Sequence, residues 1–200
     1  MFHAWYNYDH VCAYGTAGTG KTFLAMYLAM RDIFLREAPQ DKIIIVRSVV
    51  PTREVGFLPG DLAEKISVYE LPYRDICAEL VGRYSTYDDM KDAGLIQFMP
   101  TSYIRGLTWN NAIVIVEEGQ NMSFHEINSI MTRVGHNTRV VFTGDTAQSD
   151  LRPSESGMKH FLNIIDTMSS VGKICFNRHD IVRDDFVKSW IIASEDYAAA

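Results

Sequence analysis

The chain contains few cysteines, and none of them lie close together. Its 200 residues include three, Cys12, Cys77 and Cys175. Their odd number and wide spacing exclude a disulfide framework and a Cys-x-x-Cys site. The six histidines show no metal-ligand spacing. Buried free thiols in a reducing compartment are therefore the expected state.

Long apolar runs and a leader sequence are also missing. No uninterrupted apolar run reaches about 18 residues, so we expect no membrane-spanning helix. Residues 1–10 have neither a basic start nor an apolar core, which argues against a signal peptide. These absences predict a cytoplasmic protein with no membrane partner.

The composition is that of an ordinary globular protein with an excess of acid. Hydrophobic residues make up 47% and charged residues 22%, and 19 Lys and Arg stand against 25 Asp and Glu, a net charge of −6. A chain of this length predicts one domain, 1–200, in which 178–200 could form a helical C-terminal extension. The acidic balance argues against tight non-specific binding of nucleic acid but leaves room for a local basic stripe.

Strand and helix patterns alternate along the chain. Buried strands are predicted at 11–14, 42–46, 96–99, 112–116, 139–143 and 173–176. Helices are predicted at 22–36, 61–71, 123–134, 157–168 and 185–193, with Pro72 ending the second and a capping box at Ser123 opening the third. The range 73–95 stays unassigned. This alternation predicts an α/β fold, a mainly parallel sheet with helices on both faces.

A phosphate-binding loop follows the first strand. The motif G-x-x-x-x-G-K-[ST] is matched at every fixed position by Gly15, Thr16, Ala17, Gly18, Thr19, Gly20, Lys21 and Thr22. Its glycines allow backbone N–H groups to turn toward a phosphate at the positive end of the next helix. Lys21 should reach the β- and γ-phosphates, and the Thr22 hydroxyl should ligate Mg²⁺. The motif predicts nucleoside triphosphate binding.

Acidic and amide side chains follow the strand predicted at 112–116. Glu117 is placed to orient Mg²⁺ through water, Glu118 to polarise an attacking water, and Gln120 to bond that water or the γ-phosphate. Adjacent carboxylates repel unless a cation lies between them and the phosphates. After the strand predicted at 139–143, Asp145 could hold the loop and Gln148 could report the γ-phosphate. Together with the loop, these residues predict hydrolysis.

At this point the sequence resembles the PhoH family of P-loop ATPases, which are similar to the first motor domain of superfamily 1 helicases. The resemblance runs from about residue 9 to residue 192. It rests on 15–22, on Arg47 with Gly-Phe-Leu-Pro-Gly-Asp at 56–61, and on the segments at 103–106, 116–121, 132–135, 144–148 and 180–183. It implies a RecA-like core in which the strand predicted at 139–143, the sensor strand, lies between the strand at 11–14 and the strand at 112–116. It further implies ATP and Mg²⁺ as cofactors, a ring-shaped homo-oligomer for which a hexamer is one expectation, and a role on single-stranded RNA or DNA.

Two departures from the family pattern affect the expected chemistry. Glu117 stands where the family usually has aspartate, and because octahedral Mg²⁺ tolerates little displacement, turnover is expected to be slow. Only 14 residues precede Gly15, so upstream residues that hold adenine are expected to be short or missing. Trp5, Tyr6 or Tyr8 could stack on adenine instead, although packing against the sheet edge is the favoured role.

A complete site for phosphoryl transfer also needs a positive charge on the γ-phosphate. We expect a neighbouring subunit to supply it, with Arg183, Arg133 and Arg105 as candidates in that order. Nucleic-acid contacts are expected from a second group of residues: Arg47, Arg53, Arg105, Tyr103 and Trp109.

Three functions remain open from the sequence. The first is an ATPase acting on nucleic acid. The second is a small-molecule kinase, which would need an arginine-rich lid that the sequence does not show. The third is an ATP-dependent switch that binds partners without hydrolysis, which the glutamate at 117 would favour. Phosphate release without an added acceptor separates the three.

Overall fold

The computed structural model describes residues 1–36, 38–49, 62–145, 149–152 and 155–199. Three of the predictions concern residues outside these ranges: the motif at 56–61, Arg53 and Gln148. Among the described residues, no helix is long and apolar enough to cross a membrane.

The described strands form one parallel sheet. They are β1 His10–Gly15, β2 Lys42–Arg47, β3 Ile96–Pro100, β4 Ala112–Glu117, β5 Arg139–Gly144 and β6 Val171–Phe176. Their order across the sheet is β3-β2-β4-β5-β1-β6, and every pairing is parallel. Each strand lies within two residues of its predicted bounds, because continuous apolar runs are typical of strands that are buried on both faces.

Seven α-helices surround this sheet in the described ranges. They are α1 Phe2–Asn7, α2 Lys21–Leu35, α3 Leu62–Val81, α4 Thr86–Asp92, α5 Phe124–Met131, α6 Met158–Ile165 and α7 Asp185–Ala199. Side chains of α2, α3 and α4 pack with Ile43 and Ile45 on one face of the sheet, whereas α5 and α6 pack with Ile44 and Val46 on the other. Successive strand residues point to opposite faces, so the two cores share one sheet. The predicted α/β architecture is confirmed.

Several helix bounds differ from the predictions. Helix α3 continues through Pro72 to Val81, so the prediction that Pro72 ends it is wrong. A proline inside a helix costs about 3 kcal/mol, and burial of Tyr73 and Cys77 just beyond it offsets that cost. Helices α1 and α4 were not predicted, and α7 extends to Ala199 rather than to residue 193.

The strand order decides where a site can form. Because β5 lies between β1 and β4, the carboxyl ends of these three strands meet at one edge of the sheet. The phosphate loop (15–22), the acidic residues Glu117 and Glu118, and Asp145 follow those ends directly. This is the sensor-strand arrangement that the resemblance implied, and it is where open α/β sheets bind ligands.

Candidate functional site

The loop between β1 and α2 has the backbone shape of a phosphate cradle. Gly15 has φ 117° and Gly20 has φ 75°, both in the left-handed region that favours glycine. A Cβ atom at Gly15 would lie 2.0 Å from the carbonyl oxygen of Phe176, so no other residue fits without a shift of the backbone. Residues 17–20 of the loop and the N-terminus of α2, which begins at Lys21, line one cavity.

Lys21 lies folded across this loop. Its Nζ donates hydrogen bonds to the carbonyl oxygens of Thr16 at 2.6 Å and Gly15 at 3.1 Å, and to the Thr19 hydroxyl at 3.3 Å. Burial lowers the pKa of Lys21, while nearby carboxylates led by Asp145 and Glu118 oppose that shift. The ammonium group is therefore held between the loop and the acidic side chains.

The Glu117 carboxylate connects all three strand ends. The hydroxyl of Thr22 donates to its Oε2 at 2.8 Å, and the hydroxyl of Thr143 on β5 donates to its Oε1 at 2.7 Å. Glu117 is only 3% exposed. Burial raises its pKa to about 7, although the two hydroxyl groups and Arg47 favour the charged form. A buried carboxylate beside a threonine hydroxyl is an oxygen donor set that fits Mg²⁺.

Glu118 and Gln120 form a second polar link at the same edge. Glu118 has φ 53° and ψ 43°, a left-handed conformation that turns the chain sharply after β4. Gln120 Nε2 donates to Glu118 Oε2 at 2.5 Å, and its Oε1 accepts from the backbone N–H of Asp145 at 2.8 Å. The Gln120 amide thus holds Glu118 and ties the acidic motif to the end of β5.

A cavity of about 860 Å³ contains these groups. It is lined by the phosphate loop, by Glu117, Glu118, Gln120 and Asp145, and by residues that the sequence analysis did not assign to the site, namely Pro72, Asp75, Ile76, Glu79 and Val182. This volume lies within the range of ligand pockets. The α3 residues carry no motif, so only their position in the fold brings them to the site.

Arg183 also lines this cavity, and it does so from its own chain. The backbone N–H of Val182 donates to the carbonyl oxygen of Gly18 at 3.0 Å. The Arg183 Cγ lies 3.1 Å from where a Cβ of Gly18 would be. The sequence signal for this contact was the segment at 180–183, one of the segments on which the family resemblance rests.

The other arginine candidates lie elsewhere. Arg133 Nε donates to the Ile104 carbonyl oxygen at 3.2 Å. The Arg133 backbone accepts from Trp109, which precedes the amino end of β4 and not its carboxyl end. Arg105 is exposed on a turn after β3. The structure therefore brings Arg183, but neither of these two, to the phosphate loop.

The aromatic residues near the N-terminus do not reach the cavity at the phosphate loop. Trp5 is 1% exposed, and its indole N–H donates to Asp32 at 2.8 Å. Trp5 and Tyr6 line a separate cleft with His10 and Arg139, which begin β1 and β5, and backbone groups of Tyr8 contact the same end of the sheet. A strand of this length spans about 20 Å. They lie at the end of the sheet opposite the phosphate loop, so the expectation that they stack on adenine is wrong. Trp5 packs in the core, whereas Tyr6 is 66% exposed.

Trp109 is likewise unavailable as a stacking surface for nucleic acid. It is 4% exposed and packs in the core on the α5 and α6 face. The expectation that it contacts bases is wrong, because the indole ring is buried in the core. Tyr103, at 51% exposed, remains accessible.

Comparison with known proteins agrees with this architecture. A family profile described as PhoH-like protein matches residues 1–195. A PhoH-like protein of Synechocystis sp. is 35% identical over 190 residues, which cover 94% of this chain and 57% of that protein. Protein PhoH of Escherichia coli K12 is 35% identical over 176 residues, 86% of this chain and 49% of that protein. A PhoH-like protein of Bacillus subtilis is 34% identical over 187 residues, 92% of this chain and 58% of that protein.

The chain spans about half the length of the curated relatives it matches. The profile nevertheless covers almost all of this chain, including every element that lines the cavity at the phosphate loop. On these grounds the chain belongs to the PhoH-like protein family.

Proposed function

We propose that this protein is a Mg²⁺-dependent ATPase. One observation carries the proposal: Lys21, the Thr22–Glu117 hydrogen bond and Glu118 meet in a single cavity at the carboxyl ends of β1 and β4. A loop that binds phosphate, a buried oxygen donor set for the metal and an acid for water activation are the parts that hydrolysis needs.

The roles of the residues follow from their positions. Amides of residues 15–22 and the N-terminus of α2 hold the phosphates, and Lys21 moves from the loop carbonyl oxygens to the β- and γ-phosphates. Thr22 and Glu117 would hold Mg²⁺ when it is bound, and the metal would supply positive charge to offset the charge that develops on the phosphates. Glu118 accepts a proton from the attacking water. Gln120 keeps Glu118 in place, and Gln148 remains our candidate for the sensor of the γ-phosphate.

Arg183 supplies the additional positive charge from within the chain. Its position beside Gly18 supports this assignment. Its guanidinium has no hydrogen bond or ion pair to any residue in the described ranges, so it is free to meet a phosphate. The sequence led us to expect this arginine to act on a neighbouring subunit. A catalytic role for Arg133 would require a second copy of the chain.

The decisive experiment measures phosphate release from ATP and Mg²⁺ without an added acceptor. We expect wild-type protein to hydrolyse ATP, Lys21→Ala to lose binding, and Glu118→Gln to bind ATP while kcat falls by about 100-fold or more. Glu155→Gln, an exposed glutamate outside the cavity, is the matched control. ATP binding without turnover in the wild type would contradict the proposal.

That outcome would favour the second candidate, a switch that binds ATP and recruits partners. The glutamate at position 117 is the observation behind it, because its extra methylene displaces the carboxylate relative to aspartate.

We expect Glu117→Asp to raise kcat by up to about tenfold, which corresponds to ~1.4 kcal/mol. Steady-state phosphate release measures this, and a fall in kcat would show that the site is built around the longer side chain.

We further propose that the ATPase acts with single-stranded RNA or DNA and assembles as a homo-oligomer. Exposed Tyr103 and Arg105 on the turn after β3 support contact with a strand, by stacking and by phosphate binding. ATPase stimulation by single-stranded RNA at low and moderate salt tests the first part. The molar mass in solution, measured with and without ATP, tests ring assembly.

A further inference from the structure

Val182 is an apolar side chain that the fold exposes inside the nucleotide cavity. It is 72% exposed, whereas Ile181 before it and Ile191 on α7 are buried at 6% and 7%. Val182 lines the same cavity as Lys21 and Glu118. A valine side chain that is exposed to solvent within a ligand cavity offers apolar surface that a bound ligand can cover.

The segment that carries Val182 is fastened to the phosphate loop. At one end, the N–H of Thr16 donates to the carbonyl oxygen of Phe176 at 3.1 Å. In the middle, the N–H of Val182 donates to Gly18 at 3.0 Å. Beyond it, Ile191 Cδ1 lies 3.1 Å from where a Cβ of Gly18 would be. The position of Val182 relative to the loop is therefore fixed by the chain's own contacts.

The two side chains that this segment presents differ in chemistry, and both lie against glycines of the phosphate loop. Arg183, a cation, lies against Gly18 in the middle of the loop, where phosphates bind. Val182 Cγ2 lies 3.6 Å from where a Cβ of Gly20 would be, next to the start of α2. A nucleoside triphosphate has the same two chemical parts, since it joins a polyanion, which a cation can meet, to an apolar ring face, which an apolar side chain can meet.

We propose that Val182 is the residue that packs against the face of the nucleotide base. The inference rests on the proposed nucleotide binding but not on hydrolysis. Pro72 and Ile76 of α3 add apolar surface to the same cavity. Because a valine side chain touches a ring face and reads no base edge, its contribution is the same for adenine and guanine.

The experiment compares two ligands that share the phosphates and differ in the base. Calorimetry gives Kd for ATP and for inorganic tripolyphosphate at equal Mg²⁺, with wild type, Val182→Ala and Val182→Leu. Removing two methyl groups from a covered surface should weaken ATP binding by about tenfold. Tripolyphosphate binding should stay unchanged, and Val182→Leu should restore ATP binding.

Val81→Ala is the matched control, because Val81 is 49% exposed at the end of α3 and lies outside the cavity. Equal weakening of both ligands by Val182→Ala would show a general loop defect and overturn the inference, as would no weakening of either. Wild-type protein that binds ATP no better than tripolyphosphate would also overturn it. Binding without hydrolysis would contradict only the proposed ATPase, and binding of neither ligand would contradict both.

Discussion

Glu117 is buried between the hydroxyl groups of Thr22 and Thr143, and its surroundings explain its chemistry. Desolvation raises the pKa of the Glu117 carboxyl group, while the two hydroxyl groups and Arg47 lower it. A divalent cation at this point would favour the charged form more strongly than hydroxyl groups do. The residue is thus suited to holding a metal and unsuited to being a passive member of the core.

His10 makes stability depend on pH at the opposite end of the sheet. Its Nδ1 accepts a hydrogen bond from the Val140 N–H at 3.1 Å, which requires a neutral ring. Burial lowers its pKa below the usual 6.5; Asp9 opposes this shift, and Arg139 adds to it. Because the unfolded chain binds the proton more readily, stability present above pH 6.5 is lost as pH falls below it.

We therefore expect the melting temperature to fall between pH 7 and pH 5, and His10→Asn to reduce that dependence. The asparagine Oδ1 can accept the same hydrogen bond but does not titrate. Thermal unfolding at several pH values measures the effect. His125→Asn, at an exposed position, should leave the slope unchanged. An unchanged slope in His10→Asn would contradict the assignment.

At the scale of elements, the capping box of α5 holds the ends of two strands as well as a helix. The Ser123 side chain accepts from the Glu126 N–H, and Glu126 Oε2 accepts from the Ser123 N–H at 2.9 Å. Glu126 Oε1 accepts from Ser48 after β2 at 3.0 Å and from Thr101 after β3 at 2.9 Å. The helix start is therefore tied to the edge of the sheet that carries the site.

Ser123→Ala should lower the stability of the fold by about 1 kcal/mol, because it removes the N-cap acceptor. For a chain of this length, the melting temperature should fall by about 2–4 °C. Differential scanning calorimetry measures it. Ser169→Ala, at an exposed turn position, should change stability by less than about 0.5 kcal/mol. Equal changes in melting temperature for the two substitutions would show that the N-cap contributes no measurable stability.

At the scale of the whole molecule, the C-terminal segment completes the site that the sheet begins. The phosphate loop follows β1, yet Val182 and Arg183 reach it from beyond β6, the neighbouring edge strand. Parallel pairing of β1 with β6 brings Gly15 beside Phe176, and the chain then continues along the loop. One chain can therefore supply the lysine, the acids and the arginine.

This arrangement predicts the result of mixing two inactive variants. Lys21→Ala should be inactive because it loses ATP binding, and Arg183→Ala should lower kcat by about 100-fold or more. If Arg183 serves its own loop, a mixture of the two variants stays inactive, because neither chain has both groups. Phosphate release after subunit exchange measures this, with wild-type protein diluted into Lys21→Ala as the control. Recovered activity in the mixture would show that arginine acts between subunits.

Local patterns predicted much of this molecule correctly. Six apolar runs predicted the six strands, because a strand buried on both faces needs apolar residues throughout. The capping box at Ser123 and the loop at 15–22 could also be predicted from the sequence. Each of them depends only on hydrogen bonds and backbone angles within a few residues. The parallel α/β class followed from their alternation.

Contacts between distant segments could not be predicted in this way. Pro72 within α3, the burial of Trp109 and the position of Trp5 at the far end of the sheet all depend on what packs against them. The same holds for Thr143 on Glu117 and for Val182 beside the loop. The sequence by itself determined which chemical groups are available and which strands carry them. Only the tertiary structure decided which groups meet, because strand order and packing set distances that no local spacing encodes.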